Sequence, residues 1–200
     1  MFMSRQESFT IARPVPPVAR PVSEPASRPV EGVLAGTLVE TVTGWLPIER
    51  LSAGDEIYTH DGGLRPIRAL RRHSVGPCPR ILISGGVLGN DQSLSLPAGQ
   101  QVLVDGPALE TLFDLPVAVA RVGDLVGHEG IRALEPAGRA DLWQLMFDEE
   151  ELVWAAGAMR LYCPSHDPAR DRFFETLSPA QARLYALSMR TTSGINALAA

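Results

Sequence analysis

The chain has 200 residues, of which 45% are apolar and 20% charged, so it has the make-up of one globular domain with tails and is neither wholly disordered nor fibrous. Its net charge of −5 argues against nucleic acid or an anionic membrane as the main partner. All 18 basic residues are Arg, which rules out a Schiff base or a lysine general base, and no window approaches the roughly 18 consecutive apolar residues of a transmembrane helix.

Residues 1–30 carry Pro14, Pro16, Pro17, Pro21, Pro25 and Pro29 among Val, Ala, Arg and Ser. Proline removes amide donors and fixes φ, so a disordered, extended and solvated arm is expected. It serves either as a spacer or as a polyproline ligand for another protein. The N-terminus lacks an apolar stretch followed by a small-residue cleavage site. The default location is therefore cytoplasmic, with secretion independent of a signal left open.

The folded body is expected to begin near Val30. Val33, Thr37, Val39 and Thr41 lie in a β-rich run that ends at the Thr43-Gly44 turn. Trp45–Leu51 contains Pro47, which limits it to a short or edge strand. A turn at Ser52-Ala53-Gly54-Asp55 leads to alternation around Ile57, and Asp61-Gly62-Gly63 is a hairpin signal. Pro66–Arg72 reads as an Arg-rich strand. Arg80–Ser84 and Gln101–Asp105 read as strands separated by a loop over Gly85–Gln100. Leu109–Leu115 fits one or two helical turns, and Val117–Val126 is ambiguous. Leu142–Phe147 and Glu151–Ala156, joined by Asp148-Glu149-Glu150, read as an antiparallel hairpin. Strands at such regular spacing imply an all-β body. In the tail, Ser178-Pro179-Ala180-Gln181 fits a capping box that starts a short helix over about 179–190.

The run Gly36-Thr37, Gly44, Pro47-Ile48-Glu49-Arg50-Leu51, Gly54-Asp55, Asp61-Gly62-Gly63 and Pro66-Ile67-Arg68 resembles the opening of a Hint domain, the fold of Hedgehog autoprocessing domains and inteins, in its bacterial branch. Leu142–Asp148 with Glu151–Ala155 resembles the family's closing hairpin, and Gly157-Ala158 and Leu161-Tyr162 its terminal strand. The resemblance implies a twisted, mostly antiparallel β domain over residues 31–165, between the arm and a tail of residues 166–200. It also implies a chemistry. In the family an initial Cys attacks the preceding carbonyl to form a thioester, and a His in a Ser/Thr-x-x-His motif protonates the departing nitrogen.

By this register the nucleophile position is Gly32 and the His position is Gln100, with Pro97 at the Ser/Thr position. Glycine has no side chain to attack with, and an amide has no pKa near neutrality. A Hint fold should nonetheless bring Gly32 close to Gln100. The remaining nucleophile candidates are Thr37, next to a turn glycine, Cys78, between two prolines in a rigid loop, and Cys163, near the end of the body. Of the four His residues, His60 is expected to face solvent beside a hairpin turn, His73 follows an Arg cluster, His128 sits in a Gly-flanked turn and His166 lies in an Asp-rich exit loop. Two distant cysteines make no metal cage, and no metal or cofactor is expected. Arg65, Arg68, Arg71, Arg72 and Arg80 form either a docking patch for an anionic partner or a strand face paired to carboxylates. No hydrolase or nucleotide-binding signature is present. The function expected is a non-catalytic binding or structural module. The alternative is a self-cleaving protein that uses a displaced nucleophile.

Overall fold

The computed structural model describes residues 30–198. The expected proline-rich arm lies outside the described residues but for its last position.

Apolar residues at alternate positions set the strands. In chain order they are β1 (Val33–Leu34), β2 (Leu38–Thr41), β3 (Gly44–Pro47), β4 (Glu56–Thr59), β5 (Gly63–Pro66), β6 (Ala69–Val75), β7 (Cys78–Ile83), β8 (Leu94–Pro97) and β9 (Gln101–Asp105). Helix α1 (Pro107–Phe113) follows, then β10 (Val117–Arg121), β11 (Ile131–Ala137), β12 (Ala140–Met146), β13 (Glu151–Ala155), β14 (Met159–Cys163) and helix α2 (Pro179–Leu198). In β2 and β4 every second residue points inward: Val39 and Thr41, Ile57 and Thr59. β9 is buried on both faces from Gln101 to Val104, as expected of a strand covered from two sides.

The strands form three sheets. The largest runs β10-β9-β14-β13-β2-β4-β5, with β3 beside β2. A second runs β1-β12-β6 and a third β11-β7-β8. One core joins them, built from Val39, Ile48, Ile57, Ile83, Leu96, Val102, Leu145, Phe147, Val153 and Leu161 among others. Leu177, Ala182, Tyr185 and Ala186 from the C-terminal segment are buried in the same core. The tail is thus docked onto the β body, and its helix continues to Leu198, eight residues beyond the expected stop. The capping box is present: Gln181 N–H donates to Ser178 Oγ at 3.3 Å, and Ser178 N–H to Gln181 Oε1 at 2.9 Å.

The expected β12–β13 hairpin does not form. β12 lies between β1 and β6, and β13 between β14 and the pair β2 and β4, so neither strand has a free edge for the other. Asp148-Glu149-Glu150 is a corner at which the chain leaves one sheet for another. Phe147, buried at that corner, accepts from His166 N–H at 2.7 Å and donates its N–H to Pro164 O at 3.3 Å. The Gly85–Gln100 loop contains β8, which turn residues on both sides had masked. Cys78 opens strand β7 opposite Ala137, so it is not held in a loop. The ring of His60 is partly covered and meets Trp154 edge-on at 5.4 Å, where a solvent-facing side chain was expected.

Candidate functional site

Gly32 immediately precedes β1 and Gln100 immediately precedes β9. The two are 68 residues apart in the chain, yet the Gly32 N–H donates to Gln100 Oε1 at 2.9 Å in a buried hydrogen bond. The Gln100 amide nitrogen donates to Gln101 O at 2.8 Å and to Tyr162 O at 3.0 Å. One side chain therefore ties β1, β9 and β14 together with its carbonyl and both amide hydrogens engaged. The tight turn before it is closed by Gln100 N–H to Pro97 O at 3.0 Å.

Gly32 has φ +118°, a conformation that L side chains rarely adopt. A Cβ there would lie 3.0 Å from the carbonyl oxygen of Trp143 and 3.3 Å from Leu142 Cβ. The backbone at this position is therefore shaped for glycine both by its torsion and by the strand packed against it.

A cavity of about 20 Å³ opens beside the pair, bordered by Glu31, Gln101, Tyr162 and Cys163 as well as Gly32 and Gln100. This is room for about one water molecule. Gln101 Oε1 is buried there without a hydrogen-bond partner, and its Nε2 is 3.5 Å from Glu31 Oε1. The Cys163 thiol is buried, and burial with the nearby Glu151 carboxylate pushes its pKa far up, away from the thiolate a nucleophile requires.

Of the residues singled out from the sequence, Gly32, Gln100 and Cys163 thus meet at one cavity. Thr37 and Cys78 do not border it. Thr37 Oγ1 donates to Leu34 O at 2.8 Å and stabilises the β1–β2 turn. Cys78 is buried at the start of β7.

Three of the five arginines of the cluster are ion-paired. Arg65 pairs with Glu151 at 3.2 Å, Arg68 with Asp148 at 2.7 Å and Arg72 with Asp141 at 2.5 Å. The hydrogen bond from Arg72, and then that from Ser74, hold the Asp141 carboxyl below the ordinary carboxylate value. Glu151 moves the other way. Burial raises its pKa, against the lowering influence of Thr59 and Arg65.

Sequence reasoning passed over Gln101, Trp143, Tyr162 and Glu150. Glu150 accepts from Tyr162 Oη at 2.7 Å and from the backbone N–H groups of Phe173 and Phe174, which fastens the segment after β14 to the β13–β14 hairpin. Burial and then the Glu150 contact push the Tyr162 phenol up to about 12. Among the described residues no group of three or more His, Cys, Asp or Glu side chains could hold a metal ion, and no helix is long and apolar enough to cross a membrane.

A family model described as "Hint domain" matches residues 32–160. No curated protein matches the chain. Solved structures do. A bacterial intein-like domain from Clostridium thermocellum is 12% identical, with a TM-score of 0.45 over 66% of this chain and 99% of that one. The AceL NrdHF class 3 split intein, in a GSH-linked splice-inactive variant, is 15% identical, with a TM-score of 0.47 over 69% of this chain and 100% of that one. The MchDnaB-1 intein is 15% identical, with a TM-score of 0.40 over 64% and 98% of the two chains.

Proposed function

We propose, on the premise that this chain belongs to the Hint domain family, that it has given up autoprocessing and serves as a binding or structural module. The observation that carries this reading is the hydrogen bond between Gly32 N–H and Gln100 Oε1. In the register of the family these are the nucleophile and proton-donor positions. Here one has no side chain, and the other has its amide oxygen and both amide hydrogens engaged with backbone groups of Gly32, Gln101 and Tyr162. The φ of Gly32 and the Trp143 carbonyl leave no ready place for a Cβ, which also supports loss of the nucleophile as a settled feature of this backbone.

The displaced-nucleophile alternative would need Thr37, Cys78 or Cys163 to reach the peptide bond before Gly32. Thr37 and Cys78 do not border that cavity, and the Cys163 thiol is held protonated.

The test is intact-mass spectrometry of the protein carrying a folded tag upstream of residue 1. It is incubated for about a day at neutral pH, longer than the seconds to hours of a slow covalent step such as disulfide reshuffling, with and without thiol and hydroxylamine. An unchanged mass is expected. A loss that corresponds to a break near Gly32 would overturn the proposal.

A further inference from the structure

A groove of about 490 Å³ runs between the β1–β2 turn, the start of β3, the free edge of β8 and the residues just before β8. Leu38 and Trp45 form its apolar wall and are 42% and 41% exposed. Leu38 pairs with Pro47 and Glu40 with Trp45, so Leu38 and Trp45 are diagonal neighbours on one face of the β2–β3 ribbon, about 7–8 Å apart. Asp91, Gln92 and Ser93 make the polar side. The Asp91 carboxylate is exposed and forms no ion pair among the described residues.

An exposed aromatic wall with an acid beside it is the surface that a proline-rich, arginine-bearing strand fits. The chain carries such a segment. In Pro14-Val15-Pro16-Pro17-Val18-Ala19-Arg20, Pro14, Pro17 and Arg20 recur every third residue. A polyproline II helix has three residues per turn, so these three side chains would lie along one edge, with Arg20 about 19 Å from Pro14. Charge agrees. Residues 1–29 contain Arg5, Arg13, Arg20 and Arg28 against Glu7 and Glu24, so the acidic excess of the chain lies entirely in the rest.

Reach agrees as well. Val30 is four residues before Leu34 at the rim of the groove, a span of at most about 14 Å. The ten residues from Arg20 to Val30 cover about 31 Å when extended as polyproline II, enough to turn back. We infer that residues 14–20 occupy this groove, with Pro14 and Pro17 against Trp45 and Leu38 and Arg20 against Asp91. Tethering makes weak contacts sufficient. At an effective concentration of about 1 mM, an intrinsic Kd of about 0.1 mM leaves the groove about nine-tenths occupied.

The test uses the full chain. Cys78 and Cys163 are buried, so a nitroxide can be placed selectively on Ser23→Cys. The indole N–H signals of the three tryptophans are then followed by NMR. The Trp45 signal is expected to lose intensity at least about threefold more than that of Trp154, as nine-tenths occupancy requires. The loss is expected to be relieved when Pro14, Pro17 and Arg20, all outside the described residues, are replaced by Ala. Equal broadening of Trp45 and Trp154, or broadening that persists in the triple variant, would overturn the inference. So would broadening that appears only when spin-labelled protein is mixed with isotope-labelled protein, which would assign the groove to a second copy.

Discussion

Replacement of Gln100 by Ala should be strongly destabilising. The side chain is 5% exposed and makes three hydrogen bonds. Its loss leaves the Gly32 N–H buried without an acceptor, at a cost of about 1–3 kcal/mol. The two carbonyls that lose a donor add about 1 kcal/mol together, since each keeps a second lone pair for another partner. The expected loss is therefore roughly 2–4 kcal/mol, or a fall in Tm of about 5–15 °C for a domain of this size. Urea unfolding followed by tryptophan fluorescence reads it as a midpoint shift of roughly 1–2 M at unchanged m. Gln100→Glu separates the parts. It keeps an acceptor for Gly32 but loses both donors and buries a charge, so it should be at least as damaging at neutral pH. It should recover as pH falls and the carboxyl is protonated, because the folded state then binds the proton more tightly than the unfolded state does. An alanine variant with a midpoint within about 0.2 M of the parent, well inside the shift expected from these bonds, would refute the clamp.

Three further outcomes follow from the same geometry. Gly32→Ala should lose roughly 1–3 kcal/mol in thermal or urea unfolding, because φ +118° is strained for any L side chain and the new Cβ would face the Trp143 carbonyl; Gly32→Cys should be similarly destabilised and show no hydroxylamine-sensitive bond by mass spectrometry. Glu151 has a folded-state pKa above its ordinary value, so its contribution to stability is present below that value and fades as pH rises through the folded-state pKa; Glu151→Gln should flatten that part of the pH–stability profile without destabilising the protein at neutral pH. Cys78 and Cys163 are both buried, so a thiol-specific chromogenic reagent should react with neither in the native protein and with both in guanidinium.

Much of the fold could be read from turn chemistry. Asp61-Gly62-Gly63 does join β4 to β5, and Thr43-Gly44 does separate β2 from β3, because such turns are encoded by the few residues that form them. The proximity of Gly32 and Gln100 was also legible, through the family register rather than through any property of the two residues. The pairing of β12 and β13 was not. Alternation identifies a strand but not its neighbour, and here both strands have their edges filled by segments far away in the chain. β8 was hidden because its four residues lie in a Gly- and Ser-rich stretch, and its place is set by pairing with β7. The roles of Gln101, Tyr162 and Glu150 were invisible for a similar reason. Each depends on what faces it across strands, which no local pattern records.

The pairing of β1 with β12 also sets a timetable for synthesis. Val33 and Leu34 wait for Trp143 and Leu142, about 110 residues later, which takes roughly 5–20 s at ordinary translation rates. Arg71 and Arg72 in β6 wait for Gln144 and Trp143 in the same strand. Until that strand leaves the ribosome, the nascent chain holds two orphan edges and an incomplete core, and topology of this kind folds slowly even afterwards. The emerging polypeptide is thus most exposed to aggregation and chaperone capture over its middle third, and a truncation between β6 and residue 146 should leave an insoluble fragment.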